Sequence, residues 1–343
     1  MMFIYLFFLL VCILLINKFF SQKNILINET GDIHQKFASQ KKIPLTGGLF
    51  IFMGYLYFLN DSILSFILFS FIIFILGVSS DLKFIKSPNL KFILQVAIIL
   101  FYVVFNDIQI QDTRIHFLND ILKNNLVNYT FVTFCILIVL NGTNFIDGMN
   151  TLGVGHYLII SLIIFYLNLN KIITINNISI TYILILLSLV FLLNMSNQLF
   201  LGDSGSYLLG FSFSIFLINI FNWNPIISPF FIILLLWYPC YEILFSILRK
   251  NMLKRSPMSP DANHIHQLIF FFIKKKYKLN IISANLITAQ SINIYNMFVF
   301  IIGIKFITNS QIQAMLIILS ITIYTLVYFK LFIFKYKKRI KRM

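Results

Sequence analysis

The feature that most constrains this chain is its succession of long apolar runs, separated by short polar segments. Of its 343 residues, 59% are hydrophobic and only 11% are Asp, Glu, Lys or Arg. An ordinary soluble domain carries roughly 25% charged residues, which cover its surface in water. This composition therefore excludes a soluble enzyme, a nucleic-acid-binding protein and a disordered scaffold. We predict an all-α fold, a polytopic membrane helix bundle.

Most of the apolar runs approach the roughly 20 residues that a helix needs to cross a bilayer. Hydropathy predicts about 11 transmembrane helices, near residues 2–20, 46–60, 62–80, 91–106, 127–141, 152–169, 179–196, 206–221, 226–248, 286–305 and 312–334. The first run lacks the basic start and the small-residue cleavage site of a signal peptide, so we expect a retained span. We find no internal repeat and no low-complexity linker, and we interpret residues 1–343 as a single membrane domain. The three cysteines, Cys12, Cys135 and Cys240, indicate neither a disulfide framework nor a metal site.

The charged residues predict which way the bundle faces. Eleven spans place six segments on one side, which we call side one: 17–45, 81–91, 142–151, 197–205, 249–285 and 335–343. Side one carries 22 of the 27 Lys and Arg residues, whereas side two carries only Arg114, Lys123 and Lys171. Because basic residues concentrate on cytoplasmic loops, side one is predicted to be cytoplasmic. The N-terminus is then outside and the C-terminus inside.

Side one also holds the loop Phe200-Leu-Gly-Asp-Ser-Gly-Ser206, between two apolar spans. Its two glycines allow a ligand to approach the backbone, and Asp203 offers a hard anionic oxygen that suits Mg²⁺. Ser204 and Ser206 can donate to a phosphate at the positive end of the following helix. The alternative is a tight turn with an Asp cap.

A second loop on side one reads Asn141-Gly-Thr-Asn144-Phe-Ile-Asp147-Gly-Met-Asn150. Its three-residue spacing places Asn141, Asn144 and Asp147 on one face of a helix. Their amide and carboxylate oxygens suit a divalent cation or a sugar hydroxyl. The alternative is a helix C-cap followed by turn residues.

Two shorter segments of side one carry weaker signals. Asp81 is followed by Lys83, Lys86 and Lys91, a pattern that by itself is typical of an interfacial charge cluster. The segment Pro44-Leu-Thr-Gly-Gly48 follows Lys41-Lys42 and opens the second span, either as a plain helix start or as a ligand contact.

The longest loop of side one runs from Arg249 through Lys254-Arg255 and Asp261 to His264-Ile-His266. Its four cations suit an anionic, phosphorylated substrate. Two histidines without a nearby cysteine or third histidine do not indicate zinc. Residues 267–278, which end in several lysines, are predicted to form an interfacial helix.

Glu242 interrupts the ninth span near Pro239. A carboxylate within a membrane span is a functional candidate, and Arg249 or another cation is its expected partner. We favour the alternative that Glu242 is structural and holds the basic loop.

These motifs, in this order along nearly the whole chain, resemble those of the polyprenyl-phosphate N-acetylhexosamine-1-phosphate transferases, the bacterial glycosyltransferase family 4. The matching segments are Pro44-x-x-Gly-Gly48, the Asp81 loop, Asn141-x-x-Asn-x-x-Asp-Gly148, Phe200-x-Gly-Asp-x-Gly-Ser206 and Asp261…His264-x-His266. The resemblance implies transfer of a sugar-1-phosphate from a UDP-sugar to undecaprenyl phosphate, with release of UMP. It also implies a Mg²⁺ cofactor, with Mn²⁺ as an alternative, and a multi-pass protein of the bacterial inner membrane with a cytoplasmic active site.

The resemblance also implies roles for individual residues. Asn144 and Asp203 match the residues that hold Mg²⁺, and Asp81 matches an acid that activates or positions the lipid phosphate. We expect Asp147, His264 and His266 to act in catalysis with Asp81. Substrate contacts are expected from further residues: Lys41, Lys83, Lys91, Asn141, Ser204, Ser206, Arg255 and Asp261.

The chain departs from the family pattern at two positions. Ser80 stands where an acid precedes Asp81, and the histidine motif reads His264-Ile-His266-Gln267. The second departure favours the branch that initiates O-antigen, capsule or related surface glycans, such as lipopolysaccharide, over the branch that makes peptidoglycan precursors. A transporter is disfavoured, because its polar residues would lie near the bilayer midplane. A non-catalytic scaffold is suggested only by Ser80. We expect no nucleic-acid partner, and the sequence leaves a homodimer open.

Overall fold

The computed structural model describes residues 2–28, 43–58, 64–254, 256 and 261–340, with the backbone alone for 337–340. These residues form thirteen α-helices and no strand. The helices are α1 (Met2–Lys23), α2 (Gly47–Tyr55), α3 (Leu64–Asp81), α4 (Pro88–Phe105), α5 (His116–Leu122), α6 (Asn125–Ile146), α7 (Leu152–Leu169), α8 (Asn177–Met195), α9 (Gly202–Trp223), α10 (Pro229–Met252), α11 (Ile265–Tyr277), α12 (Ile281–Lys305) and α13 (Ser310–Ile340). The all-α membrane bundle that the sequence predicts is confirmed.

Ten of these helices are long and apolar enough to cross a membrane. They match ten of the eleven predicted spans. The remaining one, predicted over 46–60, is the shorter apolar helix Gly47–Phe58, which ends in a 3-10 turn. A helix of this length rises only about 18 Å, short of the roughly 30 Å of hydrocarbon. The eleven-span count and the orientation of the termini therefore stay predictions.

Local sequence explains where several of these helices begin. Ser87 starts α4 by accepting a hydrogen bond from the backbone N–H of Leu90, and Pro88 occupies the first helical position. Ser228 and Pro229 begin α10 in the same way. The Ser side chain accepts a hydrogen bond from one of the backbone N–H groups that lack a partner at the helix start. Proline reduces their number by one, because it has no N–H.

Helix α9 forms the centre of the bundle, and 83% of its most apolar 18-residue stretch is buried. It packs against α2, α3 and α6. Glycines allow this close approach: a Cβ on Gly77 would lie 2.3 Å from Ser204 Cα, and one on Gly210 would lie 2.5 Å from Leu140 Cα. Small residues at such crossings bring helix backbones together within a membrane. The N-terminus of α9 is thereby fixed against the ends of α3 and α6, where the sequence motifs lie.

Besides α2, two of the described helices lie outside the ten that are long enough to cross a membrane. The helix predicted over 267–278 is confirmed as α11, with Lys274, Lys275 and Lys276 in its last turn, and its position at the membrane interface stays a prediction. The short helix α5 was not predicted and interrupts the segment between α4 and α6. Next to it, the Arg114 guanidinium donates to backbone oxygens of residues 225–227 and 308, and so ties three loops of that end together.

Candidate active site

The N-terminus of α9 is the core of the site, and its backbone donors are capped by a side chain from α3. The backbone N–H groups of Asp203 and Ser204 donate to Asp81 Oδ1 and Oδ2, at 2.8 and 3.1 Å. Gly202 precedes them with a φ of +68°, and a Cβ there would lie 2.7 Å from Asp81 Oδ2. The turn therefore requires glycine both for its left-handed backbone and for the carboxylate beside it. A tight turn with an Asp cap was the alternative interpretation of this loop, and the carboxylate that caps it is Asp81.

The side chain of Asp203 gathers partners from three helices. It accepts a hydrogen bond from Ser80 Oγ, and its Oδ2 lies 3.5 Å from Lys91 Nζ. Its Oδ1 accepts from Asn144 Nδ2 at 2.8 Å, and the same Nδ2 lies 2.9 Å from Ser206 Oγ. The predicted pair Asn144 and Asp203 is thus brought into contact. Ser80, which departs from the family pattern, is a direct partner of Asp203.

Asp147 follows the last residue of α6 and is enclosed near two other acids. Within the described part of the chain, no side chain or backbone group hydrogen-bonds to its carboxylate. Burial, together with the nearby charges of Asp203 and Asp81, raises the pKa of Asp147 well above its usual range. Among the described residues, therefore, no hydrogen-bond donor offsets the charge of this carboxylate when it is ionised.

The histidine loop is held between α10 and α13. His264 Nδ1 lies 2.8 Å from Glu242 Oε1, and its Nε2 lies 3.5 Å from Asp261 Oδ1. Asp261 also pairs with Arg249 at 2.8 Å. Burial opposes ionisation of Asp261, but the charges of His264 and Arg249 outweigh it and keep the pKa of this carboxyl below its usual range. The partner of Glu242 is therefore His264, whereas Arg249 pairs with Asp261.

His266 connects this loop to the acids. Its ring stacks on that of His264, with centroids 5.5 Å apart and planes 8° from parallel. Its Nε2 lies 2.8 Å from where a Cβ on Gly148 would be, immediately after Asp147. The chain can pass under the ring only because residue 148 has no side chain. The two histidines and the three acids therefore belong to one region.

The segment before α2 forms a wall of the same region. The Gly47 N–H donates to the Phe200 carbonyl, and the Phe200 N–H donates to the Pro44 carbonyl, both at 2.9 Å. A Cβ on Gly48 would lie 2.6 Å from the backbone nitrogen of Gly205. The paired glycines therefore serve close packing against the α9 loop.

The remaining predicted site residues lie at the start of α9, at the edge of this region or outside the described residues. Asn141 donates to Gln95 Oε1 at 2.9 Å and so lies between α6 and α4, one turn from Asn144. Lys83 is exposed with a φ of +60°, in the turn after α3. Ser204 and Ser206 are buried in the first turn of α9. Lys41 and Arg255 lie outside the described residues.

Several residues near the site were not predicted from the sequence. Tyr207 Oη lies 3.4 Å from Asp203 Oδ2, and Lys250 is buried with its Nζ 5.8 Å from the ring centroid of Phe145. Gln95 is buried on the face of α4 that also carries Lys91. The four-residue spacing of Lys91 and Gln95 along an otherwise apolar helix is a signal that could have identified that face.

The side chains of the site decide whether it could hold a metal ion. Among the described His, Cys, Asp and Glu side chains, no group of three could hold a metal ion. Asn144 and Asp203 offer oxygens that suit Mg²⁺, an ion that usually keeps several waters and takes phosphate oxygens from its substrate. The carboxylate of Asp147 lies near Asp203 and Asp81, and this group of acids favours a cation. The residues present fit a Mg²⁺ ion that is completed by water and substrate.

A family model and two curated relatives match this chain. The model described as glycosyl transferase family 4 matches residues 63–221, which include Asp81, Asn144, Asp147 and Asp203. The chain is 25% identical over 273 residues to a protein of Bacillus subtilis (strain 168) named probable undecaprenyl-phosphate N-acetylglucosaminyl 1-phosphate transferase, covering 77% of this chain and 75% of the relative. It is 28% identical over 230 residues to the undecaprenyl-phosphate alpha-N-acetylglucosaminyl 1-phosphate transferase of Thermotoga maritima, covering 66% of this chain and 68% of that protein.

Proposed function

We propose that this chain, whose residues 63–221 match the model of glycosyl transferase family 4, transfers an N-acetylhexosamine-1-phosphate from a UDP-sugar to undecaprenyl phosphate and releases UMP. The names of its relatives support N-acetylglucosamine-1-phosphate as the group transferred. The observation that carries the proposal is the convergence of Asp81, Asn144, Asp147 and Asp203 at the N-terminus of α9, next to two histidines.

The proposed reaction joins two anions. An oxygen of the lipid phosphate attacks the phosphorus that carries the sugar, the bond from that phosphorus to the bridging oxygen breaks, and UMP leaves with the bridging oxygen. The repulsion between the phosphates must be offset at the site, because it is strong in a poorly solvated setting. Lys91 beside Asp203 and the positive N-terminus of α9 supply fixed positive potential there.

We propose Asn144 and Asp203 as the ligands of a Mg²⁺ ion, with Mn²⁺ as an alternative. Such an ion, when bound, stabilises negative charge that develops on phosphoryl oxygens. Asp147 would add negative charge near it, and Asp81 would hold the α9 backbone that presents Asp203. Reorientation of the Asn144 amide is required, because its nitrogen rather than its oxygen now faces Asp203.

The remaining predicted residues are proposed as substrate contacts. His264 and His266 would face the diphosphate and the sugar. Lys83, Asn141, Ser204, Ser206 and Asp261, with Lys41 and Arg255, would complete the binding of the two phosphorylated substrates. Asp261 would act by holding Arg249 and the histidine loop, since its oxygens already contact those groups.

We also propose that the protein lies in the bacterial inner membrane with this site at the cytoplasmic face, and that it initiates a surface glycan. The excess of Lys and Arg on side one supports the orientation. The branch assignment rests on the sequence departure at His264-Ile-His266-Gln267. In the structure the Gln267 side chain accepts a hydrogen bond from the His264 N–H at 3.1 Å and helps begin α11.

The test is UMP release by the purified full chain with undecaprenyl phosphate, Mg²⁺ and a panel of UDP-sugars. We expect activity with UDP-N-acetylglucosamine or a related N-acetylhexosamine donor, and its loss when Mg²⁺ is chelated. Asp203→Asn should abolish turnover while leaving a monodisperse, folded protein. The absence of UMP release by wild type with every donor would refute the function, and wild-type turnover by Asp203→Asn would refute the metal assignment.

A further inference from the structure

Glu242 is a buried carboxylate whose two oxygens are both used by the protein. It lies in α10 with only 1% of its surface exposed. Its Oε1 faces His264 Nδ1 at 2.8 Å, and its Oε2 accepts the Tyr324 hydroxyl of α13 at 2.8 Å. A carboxylate that is enclosed in this way cannot reach a substrate. It can act on the reaction only through its neighbours.

The opposite side of His264 is held from the same two helices. Its Nε2 faces Asp261, and Arg249 of α10 binds that carboxylate at 2.8 Å. The Arg249 guanidinium also donates to the Asn263 carbonyl at 2.5 Å and to the Tyr328 hydroxyl of α13 at 2.8 Å. The loop that carries His264 is therefore fixed to α10 and α13.

The orientation of His264 matters for the acids of the site because of its neighbour. The His264 and His266 rings lie parallel, and His266 fills the space over Gly148 next to Asp147. A rotation of the His264 ring would remove the surface on which the His266 ring rests. An imidazole turns readily about its χ2 angle unless a hydrogen bond to one ring nitrogen fixes it.

We propose that Glu242 is a positioning residue, which fixes the ring orientation of His264 and, through the ring stack, that of His266 beside the Asp147 loop. Tyr324 in turn holds Glu242, so α13 supports the site from outside the segment that the family model matches. The consequence for turnover rests on the proposed transferase function, whereas the geometric claim does not.

The experiment compares three substitutions in the full-length, detergent-solubilised protein. Glu242→Leu removes the acceptor of the His264 proton, and Glu242→Gln keeps one oxygen acceptor without the charge. Tyr241→Phe is the matched control: it removes the hydrogen bond from Tyr241 to Thr325, which joins the same two helices at 2.9 Å without touching His264. We expect Glu242→Leu to lower kcat about 10- to 100-fold per folded molecule, as is usual when an orienting partner is lost. We expect a smaller loss for Glu242→Gln, and kcat within about 2-fold of wild type for Tyr241→Phe.

A second measurement does not depend on turnover. Ring ¹⁵N signals of labelled histidines would be recorded, and the His264 signals identified by their loss in His264→Asn. We expect one fixed state in wild type, with Nδ1 carrying the proton, a shifted or averaged state in Glu242→Gln, and no change in Tyr241→Phe.

His264 signals that average between tautomers in wild type, or that do not change in Glu242→Gln, would overturn the proposal. Equal losses of kcat in Glu242→Leu and Tyr241→Phe would also overturn it, since they would indicate general packing of α10 on α13. If Glu242→Leu does not fold, the ¹⁵N comparison with Glu242→Gln decides. A wild-type protein that releases no UMP would refute the proposed function and leave the ¹⁵N result valid.

Discussion

Replacing Asp81 by Asn separates the two roles that the sequence leaves open for this carboxylate: removing a proton from the lipid phosphate, or orienting the site. Both of its oxygens accept backbone N–H groups of α9, from Asp203 at 2.8 Å and from Ser204 at 3.1 Å. A carboxylate that is engaged in this way holds the helix N-terminus, and with it the Asp203 side chain. We therefore expect the orienting role.

The size of the effect follows from these contacts. Asp81→Asn keeps one oxygen acceptor and turns an amide NH₂ toward the other backbone donor. One hydrogen bond to a charged group is lost, which is worth about 1.5–3 kcal/mol. Each 1.36 kcal/mol of transition-state free energy is tenfold in rate, so kcat should fall about 10- to 150-fold if the whole loss is felt there.

The pH dependence distinguishes the two roles. A phosphate monoester has a second pKa near 6, so the lipid phosphate is largely dianionic at neutral pH. An orienting Asp81 gives a loss that stays the same or grows between about pH 6.5 and about pH 8.5, because the ionised carboxylate is the stronger acceptor for the two backbone donors. A proton-removing Asp81 gives a loss that shrinks as the pH rises, because the substrate then arrives deprotonated.

The assay is steady-state UMP release at saturating UDP-N-acetylglucosamine and undecaprenyl phosphate, normalised to folded protein. Asp120→Asn is the matched control, since Asp120 is exposed in α5 and pairs with the neighbouring Lys123, at 2.7 Å. It should have wild-type kcat at both pH values. A loss of about 10³-fold or more at the lower pH that shrinks tenfold at the higher pH would refute the orienting role.

Three further predictions follow from the same region and from the charge asymmetry. Gly202→Ala places a Cβ 2.7 Å from Asp81 Oδ2 at a φ of +68°, and the left-handed backbone alone costs about 1–2 kcal/mol. We therefore expect a lower apparent Tm and at least tenfold slower UMP release. An unchanged Tm would contradict this. Burial, and then the neighbouring acids, raise the pKa of Asp147 in the folded state. The protonated acid therefore contributes stability to the wild type at low pH, and this contribution is lost as the pH rises through the raised pKa. Asp147→Asn should therefore have a higher apparent Tm than wild type in Mg²⁺-free buffer at alkaline pH, and the gain should shrink toward acid pH; a gain that does not change with pH would argue against this account. In a background without native cysteines, Ser259→Cys should react with an impermeant thiol reagent only in inverted vesicles and Lys123→Cys in intact cells, and the reverse pattern would overturn the predicted orientation.

Much of the fold could be predicted because apolar length and charge are properties of local sequence. Ten predicted spans and the helix α11 follow directly from them. The short helix α5 carries neither an apolar length nor a clear start signal, and it has no side-chain cap at Ile115. The second span was predicted over 46–60, but the described helix has only the apolar stretch Gly47–Phe58, whose paired glycines pack against α9.

The membership of the site could be predicted from the motifs, but the pairing of its residues could not. The cap of α9 comes from Asp81, which is 122 residues distant from Asp203. Glu242 faces His264, not the nearer Arg249 along the chain. Such pairings depend on which helices cross and at what height, and hydrophobic periodicity contains no information about either. The departure at Ser80 is visible in the sequence. Its contact with Asp203 could not be predicted from the sequence, because it depends on the close crossing of α3 and α9 at Gly77.

The contrast between Asp81 and Asp147 gives the two acids different roles. In the sequence both are acids of a side-one loop, and both were assigned to catalysis. In the structure the oxygens of Asp81 are taken by two backbone donors, whereas Asp147 has no hydrogen-bond partner among the described residues. Of these two acids, Asp147 is therefore the one whose carboxylate can still face a cation or a substrate. Loss of activity at position 81 should accompany a loosened α9 N-terminus, while loss at position 147 should leave a protein that is at least as stable as wild type, because an unneutralised buried charge has been removed.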